Sequence, residues 1–167
     1  MILDGSIKKD DLKDKYVFWG IDGTLAPYRL NGHISDPGGS GMPVSPADIR
    51  ENIYMKRKPS SFMQMVLYTS GAKDHFAASV IRCGTEMMDK LSWLSVHYPM
   101  ISEPVFVWEQ DIEGNNGSLV DAIREYCTDN MIDTGSVVIV SADFPVLIEA
   151  EDKGLCSYHI SSFLDYD

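Results

Sequence analysis

The chain has 167 residues, the length of a single domain, and its 44% hydrophobic and 23% charged residues are typical of a globular protein. Its net charge of −11 argues against nucleic acid and anionic membranes as partners, and no apolar run approaches the roughly 18 residues of a membrane span. The scattered cysteines form no Cys-x-x-Cys pair, and the N-terminus lacks a signal-peptide pattern, so we expect a cytoplasmic protein.

In chain order, a charged lead-in over residues 1–15 precedes one predicted domain over residues 16–167. Short apolar segments rich in β-branched and aromatic residues predict strands at 17–19, 66–69, 105–108, 137–140 and 157–160. Helical periodicity and capping residues predict helices at 46–56, 73–82, 87–97, 118–130 and 144–153. The alternation predicts an α/β fold, a parallel sheet of about five strands with helices on both faces. Residues 31–43, rich in glycine and proline, are predicted to form a flexible surface loop.

The first predicted strand opens onto a tight turn in the sequence VFWGIDGTL, residues 17–25. This segment resembles the first motif of the haloacid dehalogenase (HAD) superfamily, four hydrophobic residues followed by Asp-x-Asp-Gly-Thr. The resemblance implies a Rossmann-like core and a phosphatase site in which the first Asp is the nucleophile and the second an acid and base. Gly20 stands at the nucleophile position and Asp22 at the acid–base position. Glycine has no side chain with which to attack phosphorus or hold a cation. The alternative is that Asp22 and Gly23 form an ordinary turn.

The same resemblance implies that Gly23 and Thr24 bind a phosphoryl group, together with a hydroxyl that follows the second strand. Thr69 and Ser70 are the candidates for that hydroxyl, although a Thr-Ser-Gly sequence is also typical of a simple turn. By analogy the strand leading into the Asp-Gly-Thr turn is central, between the strand that ends at Thr69 and the strand that ends at Ser141. The interval between the first two motifs is too short for a large cap domain.

A lysine about one helix before the last motif is also implied by the resemblance, to hold the nucleophile and the phosphate by its charge. The chain has no lysine between Lys90 and Lys153. Lys90 lies in a Lys-x-x-Trp-Leu pattern similar to that of some nucleotidase-like members. The sequence nevertheless favours a surface lysine beside a core tryptophan, Trp93. The motif lysine is therefore predicted to be missing.

The last motif of the superfamily places two acidic residues after a strand, where they ligate Mg²⁺. Here Ser141 and Ala142 stand in the acidic positions, and Asp143 would have to shift by one residue to bind a metal with Asp22. The alternative is that Asp143 is the N-cap of the following helix, with Pro145 in its first turn. The resemblance implies Mg²⁺ as a cofactor, and the missing acids predict that it binds weakly or not at all.

These substitutions predict a HAD-like protein that lacks the nucleophile, the motif lysine and the acidic pair. We expect a catalytically inactive binding or regulatory module for a phosphorylated small molecule. The alternative is a Mg²⁺-dependent phosphatase that uses Asp22 and Asp143. A third interpretation is a structural protein with no ligand at the strand ends and an apolar patch elsewhere. The sequence names no protein partner.

Overall fold

The computed structural model of the chain describes residues 7–8, 10–27, 29–30, 33–34, 57–110 and 113–165. The strands are β1 (Tyr16–Gly20), β2 (Arg29–Leu30), β3 (His33–Ile34), β4 (Asp74–Ile81), β5 (Glu103–Trp108), β6 (Val137–Ser141) and β7 (Cys156–His159). The α-helices are α1 (Ser61–Thr69), α2 (Gly84–His97), α3 (Leu119–Asp129) and α4 (Phe144–Asp152). Short 3₁₀ turns lie at Thr134–Ser136 and Ile160–Asp165.

Five of these strands form one all-parallel sheet in the order β5-β4-β1-β6-β7, while β2 and β3 pair antiparallel as a separate ribbon. The side chains of β1 alternate between the two faces of the sheet. Trp19 is buried with Trp93 of α2 and residues of α1, whereas Phe18 is buried with Ile123 of α3 on the other face. The predicted α/β fold, a five-stranded parallel sheet with helices on both faces, is confirmed and is Rossmann-like.

The secondary-structure predictions for residues 66–69 and 73–82 are wrong. Residues 66–69, predicted as a strand, end helix α1, and residues 73–82, predicted as a helix, form β4. Helix α1 exposes apolar side chains such as Tyr68, which conceals its helical period. The small residues Ala77 and Ala78 of β4 favour a helix locally, but their burial between two neighbouring strands decides the conformation.

Strand β1 is central as predicted, and its neighbour on one side is β6, which ends at Ser141. Its neighbour on the other side is β4 and not a strand that ends at Thr69. The remaining predicted strands correspond to β1, β5, β6 and β7, and three predicted helices correspond to α2, α3 and α4, with boundaries that differ by at most three residues.

Two predictions lie outside the described residues, the helix at 46–56 and all of the loop at 31–43 except the two residues of β3. In the predicted lead-in, Ile7 and Leu12 are buried in the core, and the backbone N–H of Ile7 donates to the carbonyl of Ser162 at 2.8 Å. The described part of this segment therefore packs against the core. None of the helices in the described ranges combines the length and the apolar character that crossing a membrane requires.

Candidate functional site

The turn after β1 lies at the carboxyl edge of the sheet, where ligands bind in open parallel sheets. It is closed by hydrogen bonds from Gly23 N to Ala26 O (2.8 Å) and from Ala26 N to Ile21 O (2.9 Å). Gly23 has a φ of 79°, a left-handed conformation in which a side chain is strained, so glycine is favoured here. The turn presents the carboxylate of Asp22, whose side chain is 21% exposed.

Both carboxylate oxygens of Asp22 are paired with cations. Oδ1 lies 2.6 Å from Nη1 of Arg57, and Oδ2 lies 3.2 Å from Nζ of Lys90. Desolvation by the surrounding protein favours the protonated acid. The charges and hydrogen bonds of Lys90 and Arg57 outweigh it and hold the pKa of Asp22 below its ordinary value. Asp22 is therefore ionised at neutral pH, and the oxygens that an acid or base would offer to a substrate are already engaged.

Arg57 stabilises the turn through several contacts. Besides pairing with Asp22, its Nη2 donates to the carbonyl oxygens of Ala26 and Pro27, both at 2.9 Å. The carbonyl of Arg57 in turn accepts a hydrogen bond from the indole Nε1 of Trp93 at 3.0 Å. The Arg57 side chain is only 10% exposed, so its guanidinium is part of the folded turn and is not a solvated surface charge.

Lys90 is buried, with 1% of its side chain exposed, and the prediction of a surface lysine is wrong. Its Nζ donates to Ser79 Oγ at 2.7 Å and also lies 3.4 Å from Oε1 of Glu86. Glu86 and Lys90 occupy the same buried face of α2 as Trp93 and Leu94. Charged residues in phase with the apolar positions of a helix are the sequence signal that could have indicated this.

Gly20 leaves a narrow space between two hydroxyl groups. A Cβ atom added at this position would lie 3.2 Å from Thr24 Oγ1 and 3.4 Å from Ser141 Oγ. Gly20 does not have a positive φ, so close packing and not backbone conformation favours glycine here. Thr24 is 2% exposed, and its hydroxyl has no hydrogen-bond partner among the described residues. The two hydroxyls therefore border the position where a nucleophilic side chain would start.

The residues after β6 lie at the same edge of the sheet. Ser141 Oγ accepts a hydrogen bond from Asp143 N at 3.0 Å, and Ala142 is buried. Asp143 occupies the N-cap position of α4, with Pro145 in the first turn. Partial desolvation raises the pKa of Asp143 above its ordinary value.

This set of donors does not fit Mg²⁺, which takes oxygen ligands and usually at least one available carboxylate. Gly20, Ser141 and Ala142 supply no carboxylate. The Asp22 carboxylate is already paired with two cations, whose charges repel a third. Within the described ranges, no three His, Cys, Asp or Glu side chains are grouped so as to hold a metal ion.

Thr69 and Ser70 do not lie beside Asp22, because they end a helix and precede β4 instead of following a strand. The carbonyl of the next residue, Gly71, accepts a hydrogen bond from Asp14 N at 3.0 Å, just before β1 begins. Both residues therefore lie near the amino ends of β1 and β4, at the opposite edge of the sheet. The Thr69 hydroxyl donates a hydrogen bond to the backbone carbonyl of Met65 at 2.8 Å. The predicted hydroxyl pair is thus not part of this site.

The structure brings together Asp22, Gly23 and Thr24 of the turn with four residues that the sequence did not assign to the site, Arg57, Ser79, Glu86 and Lys90. Arg57 has no sequence signal, since it precedes α1 and reaches the turn only through the fold. We compared the chain with protein-family models, with curated proteins and with solved structures, and none of them matches it. A functional assignment therefore depends on the residues and the geometry of the site.

Proposed function

We propose that this chain is a HAD-like protein with a degenerate active site, and that it binds a phosphorylated small molecule without turning it over. One observation carries the proposal. The Asp22 carboxylate is paired on both oxygens, with Arg57 at 2.6 Å and Lys90 at 3.2 Å, beside a glycine at the position of the nucleophile. The role is that of a binding or regulatory module.

The pairing of Asp22 argues against a covalent phosphatase mechanism. Such a mechanism needs a nucleophile, and position 20 offers none. It also needs an acid–base group that exchanges a proton with the leaving group and then with water. The pKa of Asp22 is held low by Lys90 and Arg57, so this carboxylate is a poor proton donor at neutral pH. Mg²⁺ would not remedy this, because the residues present do not fit it.

Three features support binding of an anionic oxygen at this edge. The buried Thr24 hydroxyl has no partner among the described residues, and an unpaired buried hydroxyl costs roughly 1–3 kcal/mol, which a ligand oxygen would recover. Gly20 places no side-chain atoms beside the hydroxyls of Thr24 and Ser141, whereas a Cβ atom there would lie 3.2 Å and 3.4 Å from their oxygens. Among the described residues, the connected ion pairs also place three cationic side chains, Arg57, Arg82 and Lys90, beside two carboxylates at this edge of an acidic chain.

Thermal unfolding in the presence of inorganic phosphate and of phosphorylated sugars tests the proposal. We expect a concentration-dependent rise in melting temperature for the wild type. Thr24→Val keeps the shape of the side chain and removes the hydroxyl, so this variant should fold and lose most of the ligand-induced rise. Thr85→Val, at an exposed position of α2, is the matched control and should behave as the wild type does.

The proposal fails if none of these compounds raises the melting temperature of the wild type. It also fails if the wild type hydrolyses a phosphate ester in a Mg²⁺-dependent reaction that Asp22→Asn abolishes. The second result would favour the phosphatase alternative that uses Asp22 and Asp143.

A further inference from the structure

The ammonium group of Lys90 lies in a shell of oxygen atoms. Its Nζ is 2.7 Å from Ser79 Oγ and 3.3 Å from the carbonyl oxygen of Val80. Two carboxylate oxygens complete the shell, Asp22 Oδ2 at 3.2 Å and Glu86 Oε1 at 3.4 Å. The Lys90 and Glu86 side chains are 1% and 2% exposed. Hydroxyl, carbonyl and carboxylate oxygens are also the ligands that a hard divalent cation selects in proteins.

We propose that Lys90 is a built-in cation that replaces a divalent metal in this site. Its ammonium neutralises Oδ2 of Asp22 from helix α2, while Arg57 neutralises Oδ1 and donates hydrogen bonds to two carbonyl oxygens of the turn. A metal bound to Asp22 would lie close to both fixed charges and would be repelled by them. Lys90 is attached covalently, so the turn after β1 is ordered whether or not a metal is present in solution.

Lys90 is thus a positioning residue, which acts on a bound ligand through Asp22 and the turn. The inference rests on the proposed function in one respect, since it takes this edge of the sheet as the ligand site. Its main consequence concerns the protein without ligand. The folded turn should be indifferent to chelators and to divalent cations, and removal of the ammonium should uncover an oxygen-lined cation site that the wild type does not offer.

Mn²⁺ binding and thermal unfolding, both without any phosphate, test this. We expect the wild type to bind no Mn²⁺ by electron paramagnetic resonance at millimolar concentrations and to melt at the same temperature in EDTA and in Mn²⁺. Lys90→Met removes the charge but keeps most of the volume, and should lower the melting temperature by about 10 °C. Lys153→Met, which removes a lysine from a surface ion pair, should lower it by about 2 °C or less.

The decisive readout is a gain that a purely structural lysine would not produce. Lys90→Ala opens the space between Asp22 and Glu86, and we expect this variant to bind Mn²⁺ and to be stabilised by it. Adding Asp22→Asn to Lys90→Ala should abolish this binding.

The inference is overturned if the wild type binds Mn²⁺ and Asp22→Asn removes that binding. It is also overturned if Lys90→Met melts within about 2 °C of the wild type, or if a folded Lys90→Ala binds no Mn²⁺. If Lys90→Ala does not fold, the wild-type and Lys90→Met measurements decide. These experiments contain no phosphorylated ligand. Their outcome therefore tests the role of Lys90 even if the proposed ligand binding fails its own test.

Discussion

The indole Nε1 of Trp93 donates a hydrogen bond to the backbone carbonyl of Arg57 at 3.0 Å. Through this contact, both cations that pair with Asp22 are positioned by one helix. Lys90 and Trp93 lie three residues apart on the buried face of α2. The helix therefore supplies the ammonium itself and fixes the chain segment that supplies the guanidinium. Asp22 is held between them, so the position of α2 determines the geometry of the turn after β1.

Trp93→Phe should destabilise the fold by about 1–3 kcal/mol, because it removes the hydrogen bond to Arg57 and leaves part of the indole volume empty. Urea unfolding followed by circular dichroism measures this change. Trp108→Phe is the matched control, since Trp108 is 49% exposed, and it should change the free energy of unfolding by less than about 0.5 kcal/mol. Equal losses in the two variants would show that the Trp93 contact does not hold the site together.

Asp22 should make the stability depend on pH in the acidic range. Its pKa is lowered in the folded protein, so its contribution is fully present above the ordinary Asp value of about 4 and is lost as the pH falls through the lower folded value. At pH 7 we expect Asp22→Asn to be less stable by about 2 kcal/mol, because Lys90 and Arg57 lose their counter-charge.

The free energy of unfolding of the wild type and of Asp22→Asn, measured from pH 7 down to pH 2, checks this. The difference between the two proteins should begin to shrink below about pH 4, where Asp22 of the unfolded chain takes up a proton, and should be lost as the pH falls through the lower pKa of Asp22 in the folded protein. A difference that stays constant over the whole range would mean that the ionised carboxylate is not what stabilises the turn.

Gly20→Ala should cost about 0.5–2 kcal/mol, because the added methyl group lies 3.2 Å from Thr24 Oγ1 and 3.4 Å from Ser141 Oγ and both must move slightly. Gly84→Ala is the control, since nothing lies within 4 Å of a Cβ added at that helical position. Alanine favours a helix more than glycine does, so the control should be neutral or slightly stabilising. Thermal unfolding of both variants measures the difference. A neutral Gly20→Ala would mean that this space is less constrained than the structure indicates.

Much of the fold could be predicted because strands such as β6 are apolar at nearly every position, which is typical of a strand buried on both faces. The segment from α1 to β4 was predicted wrongly because its local residue pattern favours a different secondary structure from the one that the surrounding structure stabilises. Phe62, Met65 and Tyr68 give α1 an exposed apolar face, and their number concealed the helical period. Ala77 and Ala78 are helix formers that the neighbouring strands hold extended.

The sequence predicted only the part of the site whose residues are close together in the chain. Gly20, Asp22 and Gly23 belong to one turn, and the turn follows from the Asp-Gly sequence. The cations arrive from distant segments, Lys90 from the buried face of a helix and Arg57 from the residues before α1. A single sequence shows that a lysine is charged, but it does not show whether a carboxylate lies close enough in the fold to offset the cost of burying that charge. For that reason Lys90 was expected at the surface.

Hydrolysis of an aryl phosphate in the presence of Mg²⁺, measured in parallel for the wild type and Gly20→Asp, tests the central claim most directly. We expect no turnover above the buffer rate in either protein. The wild type has no side chain at position 20, and in the variant Asp22 remains paired with Lys90 and Arg57 while Ser141 and Ala142 supply no carboxylate for a metal. Mg²⁺-dependent turnover by the wild type that disappears in Asp22→Asn would contradict the claim that the site is noncatalytic.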